Sequence, residues 1–212
     1  MRKNEAAVAA IILASFIIGA YLYPRMPEKV ASHWNMAGEV DGYLPRFWGA
    51  FLMPILLLLL SALFVIIPVI DPLKSNIQKF RSHYDMFIVI FSLFLLYIYL
   101  LTLIWNFGLE FNMVQLLAPA FAILLYCAGI LTENARRNWF IGIQTPWTLS
   151  SDRVWSKTHK RGGVLLKATA VISLLGMFLP SYAAFFILIP VIVVMVYLIT
   201  YSYVEYQKEK RR

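Results

Sequence analysis

Six apolar runs, Ala6–Tyr23, Trp48–Ile70, Met86–Phe107, Met113–Leu131, Val164–Leu179 and Tyr182–Tyr203, occupy most of this 212-residue chain. A hydrocarbon core about 30 Å thick is crossed by about 20 residues of helix. Five of the runs meet that length, and the fifth, Val164–Leu179, comes close once Gly162–Gly163 and Pro180 are added. Of the residues, 61% are hydrophobic and 14% charged. Soluble domains carry roughly 25% charged residues, so lipid is the expected solvent. The expected fold is therefore all-α and integral to the membrane: one domain over 1–212, with six transmembrane helices. The first run follows Arg2 and Lys3 as a signal peptide would. It ends in the bulky Tyr21-Leu22-Tyr23-Pro24, which makes a poor cleavage site, so a retained anchor is expected.

Orientation follows from the placement of Lys and Arg, which concentrate in cytoplasmic segments. With the N-terminus inside, all but Arg25, Lys29 and Arg46 of the 19 basic residues fall on the inner side. Both termini are then cytoplasmic. The net charge of +8 is accounted for by this flanking pattern and does not point to direct nucleic-acid binding. Trp34, Trp48, Trp105, Trp139, Trp147 and Trp155 fall in loops or near helix ends, where amphipathic rings favour the interface.

The spans carry little chemistry. A solute carrier or permease, the alternative class, normally keeps paired ionisable groups inside its helices. Here only Lys167 lies within a run, close enough to its end to snorkel. Thr102, Asn106 and Gln115 are expected to make interhelical or interfacial hydrogen bonds. The prolines at 54, 68, 119 and 190 are tolerated in membrane helices for ordinary reasons. His33, His83 and His159 show no metal-ligand spacing, and no cofactor or metal is expected. Ser150, Ser151, Asp152 and His159 are close in sequence, but triads are recognised by geometry. The simpler expectation is that Ser150 or Ser151 caps a short helix with Asp152 in its first turn. Cys127, alone in an apolar run, is expected to pack. No catalytic activity is expected.

Two loops are long: 24–47 outside and 132–163 inside. In the outer one, Gly38 and Asp41-Gly42 are turn signals. Val30, His33-Trp34-Asn35 and Val40 are expected to form a short extended pair on the membrane surface. It serves either as a cap on the helix ends or as a docking surface. In the inner loop Pro146 biases Thr145 away from helix. A short helix is expected over Ser151–Arg161, with Val154, Trp155, Thr158 and His159 on one face. Arg153, Lys157, Lys160 and Arg161 should hold it in the interface against anionic headgroups of the bilayer, unless a partner protein uses that surface.

The outer-loop residues H-W-N-x-x-G-E-x-D-G-Y, followed by R-F-W-G-A-F, resemble the DUF1648 segment. The inner run N-W-F-I-G-I-Q-T-P-W-T-L-S-S-D-R-V-W-S-K-T-H-K-R-G-G resembles the signature of the SdpI/YfhL family. Gln144 departs from that pattern, where a basic residue usually stands. The resemblance implies a multi-pass immunity protein of the bacterial cell membrane that protects against a secreted peptide toxin used against siblings. It also implies a receptor role, in which an ArsR-type transcriptional repressor is held at the membrane. On this basis the candidate toxin-binding residues are His33, Trp34, Asn35, Gly38, Asp41 and Gly42. The candidate signalling surface comprises Trp139, Gly142, Gln144, Thr145, Pro146, Trp147, Thr148, Arg153, Trp155, Lys157, Thr158 and His159.

Overall fold

The computed structural model describes residues 3–211. Arg2 and Arg212, which enter the charge asymmetry, lie outside the described residues. Helix α1 (Lys3–Leu22) leads through a 3-10 turn into a two-stranded antiparallel hairpin, β1 (Lys29–Trp34) and β2 (Val40–Pro45). Then come α2 (Arg46–Ile70), the short α3 (Lys74–Gln78), α4 (Arg81–Asn106) and α5 (Met113–Asn134). After the second long loop follow α6 (Pro146–Ser150), α7 (Asp152–Ser173) and α8 (Ala183–Lys210). The molecule is thus a helical membrane protein with one small hairpin among the described residues.

Five helices are long and apolar enough to cross a membrane: Asn4–Arg25, Arg46–Ile70, Arg81–Asn106, Met113–Asn134 and Pro180–Lys210. The remaining apolar run, Val164–Leu179, is divided between the second half of α7 and a 3-10 turn at Leu174–Met177. Prolines 54, 68, 119 and 190 all sit inside continuous helices.

Helices α1, α2 and α4 pack together, as do α5, α7 and α8, and α4 lies against α5. The first group is joined by aromatics: Phe64 meets Tyr84, Phe87 and Phe91 edge-on. Tyr99 donates from α4 to the Ala50 carbonyl of α2 at 2.7 Å. In the second group small residues bring backbones together, as is usual between helices in lipid. A Cβ on Gly129 would lie 2.8 Å from the Gly163 carbonyl oxygen, and one on Gly163 would lie 2.7 Å from Glu133 Cβ.

The structure corrects two expectations. Asp41-Gly42 does not make the hairpin turn. Both residues lie in β2, and Gly42 pairs with His33. The turn is Asn35–Glu39: Asn35 Oδ1 accepts from the Ala37 and Glu39 amides at 2.9 and 3.0 Å, and Gly38 takes φ +85°. An Asn side chain that imitates a backbone turn outweighs the Asp-Gly signal. Gly42 instead gives room to His33, whose Cβ would be 2.9 Å from a Cβ at that position.

The second correction concerns Ser151–Arg161. It is not a separate helix. It is the first half of α7, which runs unbroken through Gly162–Gly163. Val154, Trp155, Thr158 and His159 are buried on the inward face of the helix. The glycine pair would weaken an isolated helix, but the close α5 contact holds it helical.

Candidate functional site

The chain presents two candidate surfaces at opposite ends of its helices. At the hairpin end, Val30 and Ala31 are fully buried. Asn106, at the C-terminus of α4, clamps Ala31 from both sides. It donates to the Ala31 carbonyl at 3.0 Å and accepts from the Ala31 amide at 2.8 Å. Asn112 caps α5 by accepting from the Gln115 amide, and also donates to the Ala37 carbonyl at 2.9 Å. The hairpin is therefore seated on the end of α4 and the start of α5 by polar contacts that an isolated hairpin would lack.

On this seat the six candidate residues separate. The His33 ring and the Asp41 carboxylate meet across the strands in a hydrogen bond, and both residues are exposed. Trp34 is half-buried, edge-on to Trp105 with ring centroids 5.8 Å apart. Asn35 and Gly38 build the turn, and Gly42 sits under His33. Of the six, His33 and Asp41 are exposed and the other four are partly buried.

At the basic end, polar side chains organise the loop after α5. Asn138 is fully buried. Its amide donates to the Arg136 and Ile141 carbonyls, and its Oδ1 accepts from the Phe140 and Ile141 amides at 2.9 and 2.6 Å. Buried Asp71, at the end of α2, accepts from the Trp139 amide at 2.9 Å and the Leu73 amide at 2.6 Å. Asn76 donates to the Arg137 carbonyl at 2.9 Å. The loop is thereby tied to the α2–α4 turn.

His159 lies beneath this loop. Its Nε2 accepts from the Ile143 amide at 2.9 Å, and its Nδ1 lies 2.9 Å from the Trp155 carbonyl. An acceptor on one nitrogen and a donor on the other describe the neutral ring protonated at Nδ1. Burial pushes its pKa down to about 4, against the opposing bond to the Trp155 carbonyl. Trp155 stacks on it and donates to the Ala135 carbonyl at 2.9 Å. Gly142, at φ +119°, packs against the same ring, and a Cβ there would strike His159 Nε2.

The neighbouring turn is a reciprocal cap. Thr145 accepts from the Thr148 amide at 3.1 Å, and Thr148 accepts from the Thr145 amide at 2.9 Å. Thr145 also bonds Ser202 of α8 at 3.1 Å. Ser151 caps α7, accepting from the Val154 amide, and donates to Glu209 at 2.7 Å. Lys157 of α7 pairs with buried Glu205 of α8, which Lys208 also meets at 2.9 Å.

Of the signalling candidates, Thr145, Thr148, Trp155, Thr158 and His159 are buried, so none offers a contact surface. Trp147 is half-buried against Tyr203, with ring centroids 5.1 Å apart. Trp139, Gly142, Gln144, Pro146, Arg153 and Lys157 are exposed. The organising residues Asp71, Asn138, Ser202 and Glu205 were not singled out from sequence. Asp71-Pro72 is a turn signal that could have drawn attention to Asp71. The partners of the others are distant along the chain and carry no local signal.

Two family descriptions match the chain: "Domain of unknown function (DUF1648)" over residues 10–58 and "SdpI/YfhL protein family" over residues 134–203. The first spans most of α1, the hairpin and the first half of α2. The second spans the Asn138–His159 network and most of α8. Immunity protein SdpI of Bacillus subtilis (strain 168) is 25% identical over 209 residues, covering 98% of each chain. No solved structure matches. The two matched segments contain the hairpin and the Asn138–His159 network, and the similarity to an immunity protein runs the full length: the chain is a multi-pass protein of the bacterial cell membrane that matches the SdpI/YfhL family over residues 134–203.

Proposed function

We propose that this protein confers immunity on the cell that makes it against a secreted membrane-active peptide. The observation that carries this reading is the full-length similarity to a protein named for immunity. In this reading six helices span the membrane, the sixth crossing being the apolar half of α7 with its 3-10 extension. Both termini and the 132–163 segment are cytoplasmic, and the 24–47 segment is outside. The near absence of basic residues at the hairpin end, where Arg25, Lys29 and Arg46 stand alone, supports that orientation. The peptide is met at the exposed His33–Asp41 pair, with Trp34 and Asn35 beside it.

Two experiments test this. In a Cys127→Ala background, Met36→Cys should be labelled from outside and Arg153→Cys only after permeabilisation. Outside labelling of Arg153→Cys would reverse the topology. In a toxin-sensitive strain, expression should protect, and His33→Ala with Asp41→Asn should weaken protection at unchanged membrane abundance. A parallel loss of abundance would make the hairpin a structural cap.

A second reading, relay to a cytoplasmic repressor of the ArsR type, is favoured by the exposed Trp139 and Arg153 at the basic end. Trp139→Ala with Arg153→Gln should then abolish recruitment of such a repressor to the membrane while protection persists. Intact recruitment would rule out this surface.

A further inference from the structure

A cavity of about 770 Å³ opens at the basic end, between α3, the segment after α5 and the first turns of α7. Ala135, Trp155 and His159 form its floor, and Lys79, Arg136, Arg137 and Lys160 line it with Glu133 and Asp152. The two carboxylates are already engaged. Glu133 pairs with Lys167 at 2.6 Å. Asp152 pairs by charge with Arg137 at 2.8 Å, although the Arg137 Nε–H makes no aligned hydrogen bond. Among the described residues Lys79, Arg136 and Lys160 have no carboxylate partner; the Lys79 ammonium donates only to Asn76 Oδ1 at 3.1 Å. The floor adds no charge, because both nitrogens of neutral His159 are committed to the backbone.

The cavity is within the size range of small-ligand sites, about 300–1,000 Å³. Its surplus is cationic, drawn from three separate elements, and Arg136 offers the planar fork that suits phosphate oxygens. Its depth is set by its walls. Glu133 is in the last turn of α5, a helix apolar enough to span, and the adjoining Trp139 and Phe140 are exposed. Exposed aromatics next to the end of a spanning helix belong at headgroup level, where lipid phosphate is the abundant anion. We propose that this cavity binds the phosphate of an anionic membrane lipid, held by Arg136 and Lys160 with Lys79 at the rim. This does not depend on the immunity reading.

The full chain, delipidated in neutral detergent, is titrated with phosphatidylglycerol, phosphatidylcholine or inorganic phosphate, and bound lipid is read by native mass spectrometry. Phosphatidylglycerol should bind in preference to phosphatidylcholine. Arg136→Gln with Lys160→Gln should weaken it about fivefold for each cation removed. Arg136→Lys with Lys160→Arg, which keeps both charges, should lose less affinity than the Gln pair. A control pair, Lys74→Gln with Arg153→Gln, removes two cations of the same end outside the cavity and should leave the preference intact. Equal binding of the two lipids would overturn the proposal. So would a control pair as damaging as the cavity pair, since general surface charge would then suffice. Inorganic phosphate binding as tightly as the lipid would overturn the lipid as its source.

Discussion

Trp155 lies flat on His159, with ring centroids 3.8 Å apart and planes 14° from parallel. The two residues are one helical turn apart on the buried face of α7, and each closes a bond to the loop above, Trp155 to the Ala135 carbonyl and His159 to the Ile143 amide. This stacked pair is the floor on which the most distinctive stretch of the sequence is folded. It explains why residues that look like a binding surface are instead internal.

Acid should loosen this floor. His159 is held neutral, its pKa lowered from 6.5 to about 4 by burial. The unfolded chain takes up the proton first, so stability is flat above pH 6.5 and falls as pH drops toward 4. The total is about 3 kcal/mol. A thermal-stability series in detergent from pH 7.5 to 4.5 should show the decline, and His159→Gln should remove its His159 share. An unchanged slope in the variant would mean that other groups cause it.

Gly142 and Gly108 separate backbone strain from collision. Both have positive φ, +119° and +96°, but a Cβ on Gly108 meets nothing within 4 Å, whereas one on Gly142 strikes His159. Gly108→Ala should cost about 1 kcal/mol and Gly142→Ala distinctly more, roughly 2–4 kcal/mol with the displaced ring. Melting temperatures of the two variants rank them. Equal losses would show that the loop gives way freely.

Asn106 should decide whether the hairpin stays seated. Asn106→Leu leaves the buried Ala31 N–H and C=O without partners, at about 1–3 kcal/mol for each orphaned group. The helices are untouched, so the protein should still insert. Limited trypsin digestion should cut faster at Lys29 and Arg46. Cleavage at the parental rate would show that apolar contacts at Val30 suffice.

Lys157 and Arg153 are both exposed cations of α7, but their roles differ. Lys157 holds the buried Glu205 carboxylate of α8, whereas no partner is seen for Arg153 among the described residues. Lys157→Gln should cost about 1 kcal/mol, a modest value because its own end is in solvent. Arg153→Gln should be within about 0.5 kcal/mol of the parent. Thermal unfolding distinguishes them. Arg153 is accordingly the cleaner probe of any partner surface at this end.

The sequence by itself determined where the long helices lie, because apolar length is a local property that lipid enforces. Five apolar runs coincide with α1, α2, α4, α5 and α8. It also narrowed the α7 cap to Ser150 or Ser151, of which Ser151 makes it, and determined the extended Thr145 before Pro146, since capping and proline sterics act over a few residues. The tertiary structure decided the rest. Whether Gly162–Gly163 ends a helix or continues it depends on α5, more than 25 residues away, pressing its own Gly129 against them. Whether Asp41-Gly42 turns or runs straight depends on Asn35 taking the turn and His33 needing the space. Thr145, Trp155, Thr158 and His159 have the composition of an exposed aromatic and polar face. Thr145, Trp155 and His159 are tied inside by Ser202, Ala135 and Ile143, partners that chain periodicity does not encode.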